Sequence, residues 1–281
     1  MANPENKDSL LFSQKGMLHC GAEIVSEREV RKMETPDPEG RWHPVPHIQV
    51  SDCAREHLAV GGYEVKQQEH SLSRNGERWF SLMELATTKE QGGEELSRIV
   101  GLRNSHDKSF RAQVVTGTGV FVCDNLAFNG QINVGRKHTT HILRDMPILM
   151  GKCVSKLASV WEDSERRIEV YKERPLSREE VHDLLCLGLD QGFLPSSKIK
   201  PVLNEYKHPR HDEFGERNAW SLFNAFTEIG KDWPLDTLQK RTMGMHGVLD
   251  NYCGLDIKPV VIDCEELEIE TDEEADLIVT S

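Results

Sequence analysis

Apolar residues in the middle of the chain fall in short segments, which polar and glycine-rich connections separate. Segments of this length that contain β-branched and aromatic residues are typical of strands. The strands that we predict cover residues 63–72, 78–86, 97–103, 112–116, 120–123 and 131–134. Short connections join strands that run in opposite directions, so the pattern predicts an antiparallel sheet.

Two connections in this part of the chain carry turn signals. Asn75-Gly76 lies between the first two predicted strands, and this dipeptide is the strongest short-range signal for a hairpin. Gly117 and Gly119 predict a second hairpin, between the fourth and fifth strands. We expect the charged stretch 89–95 to form a solvated loop.

The apolar period lengthens from residue 139 onwards, where apolar residues recur every three or four positions. This spacing predicts one long helix over about residues 140–173, with a narrow buried stripe. The stripe consists of Ile142, Met146, Leu149, Cys153, Leu157, Val160, Ser164, Ile168 and Tyr171. Pro147 lies inside this helix and is a candidate position for a kink.

Serine and glutamate three residues apart mark two further helix starts. The pairs Ser26–Glu29 and Ser177–Glu180 fit the capping box, in which the two residues satisfy each other's free backbone N–H groups. The other helices that we expect cover residues 27–33, 51–60, 219–228 and 236–252, with one that begins at Ser196 or Ser197. The proline-rich stretch 41–47 is expected to be extended.

These elements predict an α+β fold, in which an antiparallel sheet packs on the long helix. The expected division is an N-terminal arm with a short helix over residues 1–40, an α+β core domain over 41–175, a helical C-terminal part over 176–258 and a disordered acidic tail over 259–281.

The net charge of −13 is concentrated in the predicted tail, which holds nine acidic residues and no basic one. Removing those nine from the 47 acidic residues leaves 38 against 34 basic ones, so the rest of the chain is nearly neutral. A flexible polyanion of this kind can bind a protein partner, and its charge does not exclude a nucleic-acid partner for the remainder.

The seven cysteines form no C-x-x-C pair, and no apolar run approaches the ~20 residues that a membrane span needs. The first residues lack the basic and apolar regions of a secretory signal. We therefore expect a cytoplasmic protein with reduced thiols and no membrane association.

The polar run in G101-L-R-N-S-H-D-K-S-F110 has two interpretations. As a structured turn, its Asn, Ser and Asp side chains would bond to nearby backbone groups. As part of a nucleic-acid site, its cations would join those that follow the sheet, and neutral side chains would position the phosphate backbone. The residues of this candidate site are Arg103, Asn104, Lys108, Ser109, Arg111, Arg136, Lys137, His138 and Arg144. An ordinary solvated sheet edge would show the same charges.

Histidines support an alternative, metal-dependent site. His106-Asp107, His182-Asp183 and His211-Asp212 resemble the His-Asp pairs of metal phosphohydrolases. The candidate metal ligands are His106, Asp107, His138 and His141, with His106 and Asp107 as the candidate catalytic pair. The sequence signals no further ligand and contains no P-loop, dinucleotide-binding or nucleophile-elbow motif, so we expect no cofactor.

Six motifs together carry a family resemblance: those at residues 18–22, 41–47, 101–109, 122–128, 138–145 and 219–228. In this order they resemble the phage- and plasmid-type family catalogued as domain of unknown function nine-three-two, over about residues 17–255. The resemblance implies a mobile-element context and no specific chemistry. The order of hairpin, antiparallel strands and long helix is also similar to the core of phage single-strand annealing proteins, which is an analogy of fold alone.

We therefore expect a non-enzymatic protein that binds single-stranded nucleic acid, with strand annealing by a homo-oligomer as one form of that activity. Two alternatives remain open at this point. One is a metal-dependent phosphohydrolase or nuclease, and the other is an inhibitor that counters host defence through protein contacts.

Overall fold

The computed structural model describes residues 22–86, 96–120, 125–127, 133–231, 233 and 235–257. Most of the predicted N-terminal arm, the predicted loop at 89–95 and the acidic tail lie outside the described residues.

Seven strands form one sheet, with the order β1-β2-β3-β4-β5-β6, and β7 pairs with β5 as well. All pairings are antiparallel, as the short connections predicted. The strands are β1 (Glu23–Val25), β2 (Val65–Ser73), β3 (Arg78–Leu85), β4 (Leu96–Ser105), β5 (Ala112–Val120), β6 (Asn125–Ala127) and β7 (Asn133–Arg136).

The hairpin predicted at Asn75-Gly76 is confirmed and joins β2 to β3. Its residues Arg74, Asn75 and Gly76 all have positive φ angles, which asparagine and glycine adopt at low cost. A side chain at Gly76 would collide with the sulfur of Met33, so this turn also packs against the segment after the first helix.

The hairpin predicted around Gly117 and Gly119 is wrong, because residues 112–120 form the single strand β5. Gly117 and Gly119 pair with Ile99 and Ser97 of β4, and the strand continues through both glycines. Pairing with β4 on one side and with β6 and β7 on the other keeps the backbone extended where local sequence favours a turn.

The helices are α1 (Glu27–Arg31), α2 (His47–Val60), α3 (Ile142–Glu173), α4 (Arg178–Asp190), α5 (Ser196–Lys207), α6 (Ala219–Gly230) and α7 (Leu235–Tyr252). Both predicted capping boxes are present, at the starts of α1 and α4. Helix α2 begins four residues earlier than predicted, because a proline restricts itself and the residue before it but leaves the following His47 free to be helical.

None of the helices that the structure describes combines the length with the apolar character that crossing a lipid bilayer requires.

Helix α3 joins the two hydrophobic clusters of the protein. Its first half packs with α2 and the sheet, and its second half packs with α4 to α7. All nine residues of the predicted stripe are buried, which confirms the orientation of this helix. Near its end, the guanidinium of Arg167 donates two hydrogen bonds of 2.8 Å to the buried Asp250 carboxylate, and so ties α3 to α7.

Replacing Leu157 by Asp should strongly destabilise the protein. Leu157 is 2% exposed, and a carboxylate at this position would be buried without a partner. The cost of several kcal/mol is comparable with the whole stability of an ordinary domain. The neighbouring Ala158 is exposed, so Ala158→Asp is the matched control with the same charge on the same helix. Thermal melting of both variants checks the expectation, and a Leu157→Asp protein that melts like the control would contradict the orientation of α3.

Candidate functional site

Asn104 and His106, in the polar run at the end of β4, form a buried clamp on a distant segment of the chain. Asn104 and Ser105 belong to β4, and Asn104 is fully buried. Its amide donates to the backbone oxygen of Val45 at 2.8 Å and to Nδ1 of His47 at 2.9 Å. His106 also reaches the oxygen of Val45, through Nε2 at 2.9 Å. Two side chains of the run therefore fix the proline-rich segment 41–47, which we call the crossing segment.

Further contacts hold both ends of the crossing segment. The backbone N–H of His43 donates to the oxygen of His138 at 3.0 Å. At the other end, Nε2 of His47 lies 2.9 Å from the oxygen of Gly76, in the β2–β3 turn. The crossing segment thus connects the start of α2 with the hairpin turn and with His138, two residues after β7.

The loop after β4 is also fixed by its own side chains. The hydroxyl of Ser105 donates to the oxygen of Phe110 at 2.7 Å and accepts from its N–H at 3.1 Å. Asp107 accepts from the backbone N–H of Ser109 at 3.0 Å and from Nε of Arg78 at 2.6 Å. The hydrogen bonds within the loop are those that the turn interpretation expected, and they close it between Ser105 and Phe110.

Stacked rings fill the space beneath the crossing segment. The imidazoles of His47 and His106 stack with centroids 3.8 Å apart and an angle of 8° between their planes. The ring of Trp79 lies 6.0 Å from that of His47 and 5.9 Å from that of His70 on β2. Ring contacts therefore lead from His70 on β2 through Trp79 and His47 to His106 of the clamp.

Three histidines at the crossing segment, His47, His106 and His138, are held in the neutral form. Burial lowers the pKa of His47 to about 3, and the neighbouring His106 contributes in the same direction. Burial and His106 likewise lower the pKa of His138 to about 4. The pKa of His106 is lowered mainly by burial. Neutral imidazoles can both donate and accept, as the contacts of His47 with Gly76 and Asn104 require.

Pairing of β5 with β7 brings the two predicted basic groups together. Ala112 lies opposite Arg136, so residues 103–111 and 136–144 are neighbours at one end of the sheet. Between them lies an open groove of about 570 Å³. We call it the basic groove, and it is lined by Arg41, Trp42, Lys108, Phe110, Arg111, Lys137, His138 and Thr139.

Exposed cations and two aromatic rings define the surface of the basic groove. Lys108, Arg111 and Lys137 are exposed. The ammonium group of Lys108 lies 4.8 Å from the ring centre of Trp42 and also pairs with Glu39.

Arg41 lies at the tip of a tight turn beside the groove. Two backbone hydrogen bonds between Glu39 and Trp42 close this turn, and Gly40 supplies its positive φ of 57°. Arg41 and Trp42 are the first two residues of the crossing segment. The clamp holds this segment at Val45 and thereby positions both residues.

Some residues of the predicted site do not line the groove. Asn104 is buried, and its predicted contact with a phosphate backbone is wrong because its amide is committed to Val45 and His47. Arg136 and Arg144 bind the buried carboxylate of Asp145, at 2.6 and 2.9 Å, which holds β7 to the start of α3.

Arg103 and Ser109 also support the site from outside the groove. The guanidinium of Arg103 lies 5.0 Å from the ring centre of Phe110 and packs against it. Ser109 is exposed next to Lys108 and uses its backbone N–H to close the loop. Arg41, Trp42, Phe110 and Thr139 are the groove residues that sequence reasoning missed. The pairing of Arg41 with Trp42 in a proline-rich stretch was a signal that could have found two of them.

The residues of the predicted metal site do not converge. Nε2 of His106 faces a backbone oxygen, Asp107 is bound to Arg78, and His141 is exposed at the start of α3. Within the described ranges, no group of three or more His, Cys, Asp or Glu side chains is arranged to hold a metal ion. The donor set that the metal-dependent hypothesis required is therefore not assembled at this site.

The neutral histidines predict a fall in the free energy of unfolding as the pH is lowered from 7 to 4. Folded-state pKa values of about 3 for His47 and about 4 for His138 lie below the ordinary value of 6.5. Below pH 6.5 the unfolded chain therefore binds more protons than the folded chain does. The contribution of the two histidines to the free energy of unfolding is present above pH 6.5 and is lost as the pH falls towards the folded-state values. Each such group adds a slope of about 1.4 kcal/mol per pH unit within that window.

Urea denaturation at several pH values measures this slope. Carboxylates with lowered pKa values add to it with the same sign, so the difference between the wild type and His138→Phe is the informative quantity. Between pH 4 and 6.5, the free energy of unfolding of the variant should depend less steeply on pH, by about 1.4 kcal/mol per pH unit. The same slope in both proteins would show that His138 is not held neutral by the fold.

Comparison with known proteins places the chain in a family. Residues 38–231 match the family described as Domain of unknown function (DUF932). No curated protein and no solved structure matches the chain. The matched range contains the crossing segment, strands β2 to β7 and every residue that lines the basic groove. It covers more than half of the chain, which confirms the resemblance seen in the motifs: the protein belongs to the DUF932 family.

Proposed function

We propose that the protein is a non-enzymatic binder of single-stranded nucleic acid, and that the strand lies in the basic groove. The observation that carries this proposal is the presence of two aromatic rings among exposed cations in one open groove. Proteins that bind single strands combine a positive groove, which follows the backbone, with aromatic side chains on which the bases stack.

The charges of the basic groove fit a phosphate backbone. Four cations line it, namely Arg41, Lys108, Arg111 and Lys137. Glu39 pairs with Lys108 at the rim, and that exposed ion pair is weak enough for a phosphate group to replace the carboxylate. The acidic overall charge does not oppose this assignment, because the acidic tail supplies most of it.

The aromatic residues favour a single strand over a duplex. Bases in a duplex stack on each other, and a side chain can stack on a base face only where the base is unpaired. Trp42 and Phe110 line the same groove, so a strand that follows the cations would pass both rings. Arg103 lies 5.0 Å from the ring centre of Phe110 and Lys108 lies 4.8 Å from that of Trp42, an arrangement that the negative face of an aromatic ring favours.

The clamp supports binding by fixing the groove before the ligand arrives. Asn104 and His106 hold the segment that carries Trp42, while Ser105 holds Phe110. Side chains that are ordered in the free protein lose less conformational entropy when a ligand binds.

The remaining parts of the expected function stay predictions of the sequence. They are an origin in phages or plasmids, annealing of strands by a homo-oligomer, and a protein partner for the acidic tail. The first depends on the resemblance, and the last concerns residues outside the described ranges.

Changing Lys108, Arg111 and Lys137 together to Ala should weaken binding of a fluorescent single-stranded oligonucleotide at low salt. Each phosphate contact contributes about −0.7 to the slope of log affinity against log salt for a single strand, so losing three should flatten the slope by about 2. Fluorescence anisotropy across a salt series measures both quantities in the full chain.

The matched control changes three exposed cations outside the groove, Lys156, Arg166 and Lys200, to Ala. It removes the same net charge and should leave both affinity and slope close to those of the wild type. Equal behaviour of the two triple variants would refute the groove as the binding site. Cleavage of the oligonucleotide by the wild-type protein would instead support the enzymatic alternative.

A further inference from the structure

A second cationic pocket lies in the helical part of the protein, among elements that do not contribute to the basic groove. Its volume is about 340 Å³. We call it the C-terminal pocket, and its polar lining consists of Ser177, Arg178, His182, Tyr206, Lys207 and Arg217. These residues come from the start of α4, the end of α5 and the segment before α6.

The cations of the C-terminal pocket have no anionic partner in the part of the chain that the structure describes. Arg178, Lys207 and Arg217 form no ion pair there. The carboxylate of Glu180, on the first turn of α4, is used elsewhere, because it accepts from the backbone N–H of Ser177 at 2.6 Å and from Arg174 at 3.1 Å. Three cations therefore line one pocket, and none of them forms an ion pair with a carboxylate of the described residues.

The start of α4 forms part of the wall of this pocket, which Ser177 and Arg178 line. Within the first turn of a helix, N–H groups have no partner in the helix itself. The capping box of Ser177 and Glu180 satisfies the N–H groups of those two residues, at 2.6 and 3.2 Å. Arg178, which lines the pocket, lies in the first turn of α4, at the positive end of the helix dipole, where an anion is favoured.

Tyr206 provides a second, independent observation that points to a ligand in this pocket. Its side chain lines the pocket and is only 6% exposed. The hydroxyl group has no hydrogen-bond partner among the described residues. Buried hydroxyl groups nearly always have a partner, so an unpaired one needs an explanation. Burial raises the pKa of Tyr206 to about 12, which keeps the hydroxyl protonated and able to donate to an acceptor in the pocket.

We propose that the C-terminal pocket binds the phosphate group of a phosphate monoester, with Tyr206, Arg178, Lys207 and Arg217 as side-chain donors. A monoester carries nearly two negative charges at pH 7 and offers three terminal oxygens, which suits three cations and a hydroxyl donor. A carboxylate brings one charge and two oxygens, and leaves this set of donors less well satisfied. The site is independent of the proposed binding in the basic groove.

Two substitutions test the pocket without disturbing the fold. Tyr206→Phe removes only the hydroxyl group, and since that group has no partner, the free variant should melt at the wild-type temperature or higher. Arg217 has a left-handed backbone with φ of 52°, so Arg217→Gly removes the guanidinium and relieves strain. Lys200→Ala is the control, because Lys200 is exposed on α5 outside the pocket.

Isothermal titration with inorganic phosphate and with a nucleoside 5′-monophosphate measures binding directly. We expect saturable binding of both, at least about tenfold weaker in Tyr206→Phe and Arg217→Gly and unchanged in Lys200→Ala, as loss of a hydrogen bond to a charged group requires. Tighter binding of the monophosphate would identify a nucleotide as the source of the phosphate group, and equal binding would identify phosphate itself.

The Lys108, Arg111 and Lys137 triple variant separates this site from the basic groove. It should bind both ligands as the wild type does. Absence of saturable binding, equal affinity in Tyr206→Phe and the wild type, or loss of binding in the groove variant would overturn the proposal.

Discussion

The hydrogen bond between the buried amide of Asn104 and the backbone oxygen of Val45 is the contact on which the site depends. It joins the end of a central strand to a segment 59 residues earlier in the chain. The same amide reaches His47, and His106 reaches the same oxygen. Both hydrogen bonds of the buried NH2 group go to the crossing segment, and because a buried donor without a partner is costly, they fix that segment against the end of β4.

The basic groove follows from this constraint. Once the crossing segment is held, Trp42 and Arg41 lie opposite the loop after β4, which presents Lys108, Phe110 and Arg111. The stacked histidines beneath are neutral, so the charge of the groove comes from its exposed cations and not from its floor. The result is a surface that combines positive charge with aromatic rings, on a sheet that α3 supports from the core.

Features that depend on local sequence could be predicted. The stripe of α3 was visible because burial imposes a helical period on Leu157 and its neighbours, and the capping boxes were visible because serine and glutamate act over three residues. The antiparallel pairing of the strands was predicted correctly, but the residues at which several strands begin and end were not.

Features that depend on distant partners could not be predicted. Asn104 looks like a turn residue, since nothing local shows that its partner is Val45. Gly117 looks like a turn for the same reason, because only its pairing with Ile99 keeps it extended. The two basic groups are adjacent because β5 pairs with β7, and the sequence offered this only as a hypothesis. Phe110 is held at the groove by its contact with Ser105, which the sequence does not reveal.

The binding of a single-stranded oligonucleotide by Trp42→Leu, measured across a salt series, tests the central claim most directly. Stacking of a base on an aromatic ring contributes about 1–3 kcal/mol and involves no phosphate. The account therefore predicts an affinity lower by about tenfold or more at every salt concentration, with the same dependence on salt as the wild type. Wild-type affinity in this variant would contradict the claim that the groove held by the clamp is where the protein binds its ligand.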